Sequence, residues 1–111
     1  MHHNNPDTWE IDEGWKPMVQ ALVSLCEDYC KTKDLPFTIE QVKEKFGTLR
    51  FYYSGGDDYI SQLVDSAETQ SGKMCEVCGK EGKLRGGGWL KTLCDEHHQQ
   101  REERRNGARG W

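Results

Sequence analysis

The stretch CEVCGKEGKLRGGGWLKTLCDEHH, residues 75–98, decides the fold. Its Cys75, Cys78, Cys94 and His97 are spaced Cys-x2-Cys-x15-Cys-x2-His, which suits one tetrahedral zinc ion. Each pair sets two ligands within about one turn of backbone. Between the pairs, Leu84 to Leu93 can form a hairpin with Gly86-Gly87-Gly88 at its turn, which returns the second pair to the first. Residues three apart in a helix's first turn point the same way, and the free amides there favour thiolate charge. Cys94 and His97 are therefore expected together at a helix start, with His98 the rival ligand through Cys-x3-His spacing. Four protein ligands leave no position for water, so the expected zinc is structural.

Working outward, Ser71-Gly72-Lys73 reads as a hinge, which makes 73–100 a zinc-binding unit and 15–72 an α+β body. In the body Trp15, Met18, Val19, Leu22, Leu25, Cys26 and Tyr29 recur at three and four, one face of an amphipathic helix running to about Lys33. Pro17 suits its first turn. Asp34-Leu35-Pro36 ends it. Thr38-Ile39-Glu40-Gln41 then has the form of a capping box, and Ile39, Val42 and Phe46 share a helical face, so a short helix over 39–46 is the first reading. The competing reading makes this segment a hairpin arm, with Lys45-Phe46-Gly47-Thr48 as the turn into the strand Leu49–Tyr53. After Gly55-Gly56, Asp57 or Asp58 can cap a helix carrying Ile60, Leu63, Val64 and Ala67 to about Gln70. Residues 1–14 read as an irregular leader whose Trp9 and Ile11 pack back onto the body. A polar helix from Asp95 leads into a charged tail, 101–111.

The chain has 111 residues, 34% apolar and 31% charged, enough for one domain that buries limited surface and gains stability from a metal. The net charge of −4 is uneven: residues 1–73 hold seven Lys/Arg against thirteen Asp/Glu, and 74–111 hold eight against six. The acidic body repels nucleic acid, so any such binding is confined to the last third or depends on an oligomer. No apolar run approaches the roughly 20 residues of a membrane span, and the N-terminus lacks signal-peptide regions. A cytoplasmic protein is expected, and five cysteines fit a reducing compartment.

The order Cys-x2-Cys-Gly, hairpin, then Cys-x2-His opening a helix resembles a treble-clef zinc finger. A wider pattern, Lys43-Glu44-Lys45-Phe46-Gly47-Thr48-Leu49-Arg50-Phe51-Tyr52-Tyr53, then Cys75-Glu76-Val77-Cys78-Gly79, then Gly88-Trp89-Leu90-Lys91-Thr92-Leu93-Cys94, is similar to a group of short uncharacterised bacterial and phage proteins. The resemblance spans roughly residues 39–98 and implies a mobile-element origin without implying an activity. Treble clefs serve in nucleic-acid binding, protein binding and, with added residues, nuclease catalysis.

Several residues carry a functional and a plain reading. Cys26 and Cys30 are read as free thiols rather than metal ligands or a disulfide. His2 and His3 fit a copper or nickel chelate or, more simply, an end without a role. Arg50 and Tyr52 are candidate ligand contacts beside core aromatics. Trp89 reads first as a cover for the zinc knuckle and second as an exposed anchor for a partner. Arg85, Lys91, Arg101, Arg104 and Arg105 are candidate partner contacts, with a plain solvated helix end as the alternative for the tail. The first functional reading is a non-enzymatic protein-binding module, of the kind that serves as an inhibitor or adaptor of a mobile element. The second is a nucleic-acid-binding regulator using Arg85, Lys91 and the arginine tail. The third is a treble-clef nuclease, for which His98 and Asp95 are the sole candidates, because the hairpin carries no histidine. No membrane partner and no small-molecule substrate are evident.

Overall fold

The computed structural model describes residues 5–86 and 89–109; His2, His3, Gly87 and Gly88, with the readings attached to them, lie outside these. Helix α1 spans Lys16–Thr32 with Pro17 in its first turn, where no backbone donor is needed. Val19, Leu22, Val23, Cys26 and Cys30 form its buried stripe, flanked by Met18 and Tyr29. Leu25, expected on that face, is instead exposed. At 100° per residue it stands about 120° from the stripe's centre, and Val23 fills the place. Asp34 takes a left-handed conformation after the helix (φ 57°), and Leu35 N–H reaches back to Cys30 O at 2.8 Å, closing the end as a glycine usually would.

Strands β1 (Phe37–Lys45) and β2 (Thr48–Gly55) form an antiparallel hairpin. The expected helix over 39–46 is thus corrected to a strand, and the hairpin reading is the one that holds. A bulge between Ile39 and Gln41 explains the error. The extra residue lets Ile39 and Val42 both face the core although they are three apart, and this imitates a helical stripe. Phe46 and Gly47 form the turn, both at positive φ (55° and 82°), as a two-residue type I′ connection requires.

Both edges of this hairpin are covered. Glu10 bridges β1 in parallel fashion, donating its N–H to Val42 O (2.9 Å) and accepting from Glu44 N–H (3.1 Å). Its neighbours Trp9 and Ile11 pack onto the core as expected. On the β2 side, Leu49 N–H is taken by Ser71 Oγ (2.8 Å) and Phe51 N–H by Glu68 Oε2 (2.9 Å), both from helix α2, Asp58–Ser71. Such closure removes the pairing sites an open edge would offer. Asp57 caps α2 through the amides of Tyr59 and Ile60 and accepts the Tyr29 hydroxyl at 2.7 Å, joining α1 to α2. That donated bond holds the Asp57 carboxyl below its ordinary range.

The remaining elements are β3 (Lys83–Arg85), β4 (Lys91–Leu93) and α3 (Asp95–Arg109). Among the described residues they complete a small α+β fold of three α-helices and two two-stranded antiparallel sheets. The first sheet packs with α1 and α2 around Trp15, Val19, Leu49 and Ile60; the second belongs to the cysteine-rich unit. Several bonds tie the two parts, Lys91 Nζ to Asp12 Oδ2 (3.1 Å) among them. Trp15 Nε1 donates to Met74 O (2.8 Å), Gly14 N–H to Glu76 O (2.7 Å), and Thr92 Oγ1 to Gly47 O (2.6 Å). A Cβ on Gly14 would fall 2.4 Å from Cys75 O, so this approach demands glycine. Among the described residues no helix is long and apolar enough to cross a membrane.

Candidate metal centre

Cys75 and Cys78 sit on a tight loop. Gly79 (φ 81°) returns its N–H to Cys75 O at 2.9 Å, Cys75 N–H goes to Lys80 O at 2.7 Å, and Met74 bridges Glu81 to close the base. Cys94 precedes α3 as its cap: its Sγ accepts His97 N–H at 3.4 Å, and its carbonyl accepts His98 N–H at 2.9 Å. The chain thus runs from the knuckle through the β3–β4 hairpin to the start of α3.

The ligand atoms of Cys75, Cys78, Cys94 and His97 all lie within 4.8 Å of one another, a group able to hold a metal ion. With Zn–S near 2.3 Å and Zn–N near 2.0–2.1 Å, tetrahedral geometry separates two sulfurs by about 3.8 Å and a sulfur from a nitrogen by about 3.6 Å. Cys78 Sγ lies 3.8 Å from Cys94 Sγ, and Cys75 Sγ lies 3.6 Å from His97 Nδ1. Cys94 Sγ to His97 Nδ1 is closer, at 3.2 Å. The donor set fits the ion the spacing called for. His97, not His98, supplies the nitrogen. His98 Nδ1 is buried without a hydrogen-bond partner among the described residues, outside the ligand group.

The backbone prepares the sulfurs for charge. Burial pushes the Cys75 thiol up, but hydrogen bonds from the backbone at Cys94, Cys78 and Val77 outweigh it and bring the pKa down to about 6. At Cys78 the Lys80 backbone amide lowers the pKa, yet burial and the neighbouring Cys75 and Cys94 sulfurs raise it overall. One thiolate is thus favoured before metal arrives, and an incoming cation displaces the remaining protons.

Glu76, between the two knuckle cysteines, carries no signal in the sequence. It is nearly fully buried, donates its N–H to Thr92 O (2.9 Å) and accepts Thr92 N–H on Oε2 (3.0 Å). Burial pushes its carboxyl up to about 7. The Thr92 amide and Lys91 oppose this, while Glu44 and Asp12 add to it. Lys91 Nζ stands 4.0 Å from Glu76 Oε1 and 3.1 Å from Asp12 Oδ2. A buried acid with one lysine nearby thus clamps the knuckle to β4.

The candidate partner contacts fall in separate places. Lys91, Arg101 and Arg104 line one groove of about 520 Å³ together with His97, Val77 and Leu93. Arg101 donates to the Trp89 carbonyl through Nη2, while its Nη1 is buried without a partner among the described residues. Arg85 is spent on structure: Nη2 pairs with Asp95 Oδ1 at 2.7 Å and Nε donates to Leu93 O at 3.2 Å. This pairing, led by the Arg85 hydrogen bond, lowers the Asp95 pKa and ties that acid down. Arg50 and Tyr52 stand on the outward face of β2, opposite Lys43 and Gln41, with the Lys43 ammonium 5.7 Å from the Tyr52 ring. The Arg105 side chain lies outside the described residues. Trp89 is 72% exposed, so its first reading as a knuckle cover is corrected: a large ring that is mostly in water covers nothing. No family model matches the chain, and neither the curated proteins nor the solved structures give a match.

Proposed function

We propose that this chain is a zinc-stabilised binding module whose metal holds a protein-docking surface in place. Three cysteine sulfurs and an imidazole favour zinc among common divalent ions, and a full set of four protein ligands supports a structural role for it. The observation that carries the protein-binding reading is a group of large apolar side chains left in water. Phe46 (62% exposed), Leu84 (53%) and Trp89 (72%) occur where the β1–β2 turn meets the metal-held β3–β4 unit. Leu84 lies against Gly47 of that turn, and Phe46 and Trp89 line one cleft. Aromatic residues exposed in this way are the usual anchors of protein interfaces. In a mobile-element protein of the resembled kind, such a module would act on a host protein as inhibitor or adaptor.

Stoichiometric co-purification tests the proposal. A protein partner retained by the native chain and lost with Trp89→Ser, while the variant keeps one zinc and its melting temperature, is the expected result. Equal retention by the variant, or no protein partner together with salt-sensitive binding to DNA or RNA, would overturn it. The second outcome would move function to the Lys91, Arg101 and Arg104 groove, which is the nucleic-acid reading.

A further inference from the structure

The surface also indicates what kind of segment it takes. The cleft of about 380 Å³ is lined by Glu44, Lys45, Phe46, Trp89 and Leu90. It shares Glu44 and Trp89 with an adjoining cleft of about 340 Å³ that adds Glu10, Asp12 and Glu76 to its wall, with Lys91, paired with Asp12 at 3.1 Å, as the cation among its described lining residues. An aromatic, apolar slot therefore opens directly onto a carboxylate-rich one. We propose that this double cleft binds a short basic segment of a partner protein, with an apolar side chain between Phe46 and Trp89 and an adjacent lysine or arginine toward Glu44, Glu10 and Asp12. This inference rests on the protein-binding reading above and names the partner's chemistry.

Two further observations support it. Phe46 occupies the first central position of a type I′ turn, at φ 55°, where asparagine is the favoured residue and an aromatic is strained by roughly 1–2 kcal/mol. The chain keeps a ring there that is both strained and solvent-exposed, a combination that folding alone disfavours. The ring also already takes an ammonium, since Lys45 Nζ lies 5.4 Å from its centroid. The acidic character extends beyond the cleft: residues 1–73 carry thirteen acids against seven bases, so a basic partner is drawn to this body and an acidic one repelled.

The test titrates the zinc-loaded, 15N-labelled protein with the blocked peptide Gly-Leu-Lys-Arg-Leu-Lys-Gly and with counterparts carrying glutamine or glutamate for each basic residue. The basic peptide is expected to shift the Trp89 indole and the Gly47 amide saturably, and the glutamate peptide to leave them in place. Glu44→Gln and Asp12→Asn, close in shape, should each weaken binding about two- to fivefold. Phe46→Asn should abolish the saturable shift while raising the melting temperature, which separates lost binding from lost folding. Equal affinity for the glutamine peptide would overturn the cationic occupant and leave the binding module standing. No shift with any peptide would overturn the cleft, and so would stronger displacement of the same resonances by a single-stranded oligonucleotide. The co-purification result then decides the wider reading on its own.

Discussion

At the scale of single residues, the molecule depends on positions the sequence gives little reason to notice. Gly14 has no positive-φ requirement; it is needed because the knuckle carbonyls of Cys75 and Glu76 pass within 2.4–2.5 Å of where a Cβ would stand. Gly14→Ala is expected to cost about 1–3 kcal/mol, as overpacking does, read as a lowered denaturation midpoint at unchanged m-value. Cys26 is more legible. The helical stripe marked it as a buried free thiol, and burial, with Cys30 and Glu27 nearby, pushes its pKa up to about 11 from 9.0. In the native protein at pH 8 it should resist iodoacetamide, while the denatured chain reacts. The pH effect has a definite sign. Between about 9 and 11 the unfolded thiol ionises and the folded one does not, so the folded state binds more protons and stability falls as pH rises through that window. A melting temperature that rises across it would contradict the assignment. Glu76 and Ser71 mark the limit of such reading, because what distinguishes them is a partner far along the chain, Thr92 for one and Leu49 for the other.

At the scale of elements, most of the fold follows from local patterns. The α1 and α2 stripes, the Asp57 cap, the strand after Gly47 and the helix opening at Cys94 all obey short-range rules. The segment 39–46 does not, because a bulge changes the phase of alternation halfway along β1. Before the bulge the strand's period-two pattern puts Ile39 inward, and after it Val42 and Glu44 take over the inward register, so the sequence shows a spacing of three where a regular strand shows two. Trp89 was misread for a related reason: nothing local tells whether a ring after a glycine run folds over the knuckle or away from it. The β2 edge offers a direct check of how elements are joined. Ser71 Oγ accepts the buried Leu49 N–H and donates to Glu68 O, so Ser71→Ala leaves a strand donor unpartnered inside the protein. A loss of about 1–3 kcal/mol is expected, together with faster hydrogen exchange at Leu49. A change confined to α2 amides would show that the edge closure carries no stability.

At the scale of the whole molecule, the question is whether the metal supports one cooperative unit or an appendage. The Cα radius of gyration is 16.0 Å, against about 13 Å for a globular chain of this length, and the long axis reaches 60 Å. Helix α3 meets the rest at β4, at Arg85 of β3 and at the Trp89 carbonyl. The knuckle and β4, in contrast, are bonded into the body at Trp15, Gly14, Gly47 and Asp12. Loss of an ion held by Cys75, Cys78, Cys94 and His97 would free four ligands from one point, and the adjoining elements, β3 with three residues and β4 with three, are too short to persist alone. Loss of the unit also deprives the body of its partners for the Trp15 indole and the Gly47 carbonyl, so chelation should lower the melting temperature of α1 and α2 as well. Stability should rise by about 1.4 kcal/mol for each tenfold excess of free zinc over its dissociation constant. In the zinc-loaded protein, metal release followed by a colorimetric chelator should coincide with loss of far-UV circular dichroism. Thr92→Val keeps the shape of β4 and removes the bond to Gly47, so release should then precede unfolding of the body. If chelation leaves the body's transition unmoved, the two parts are independent and the shared turn at Phe46 and Gly47 is held by the body alone.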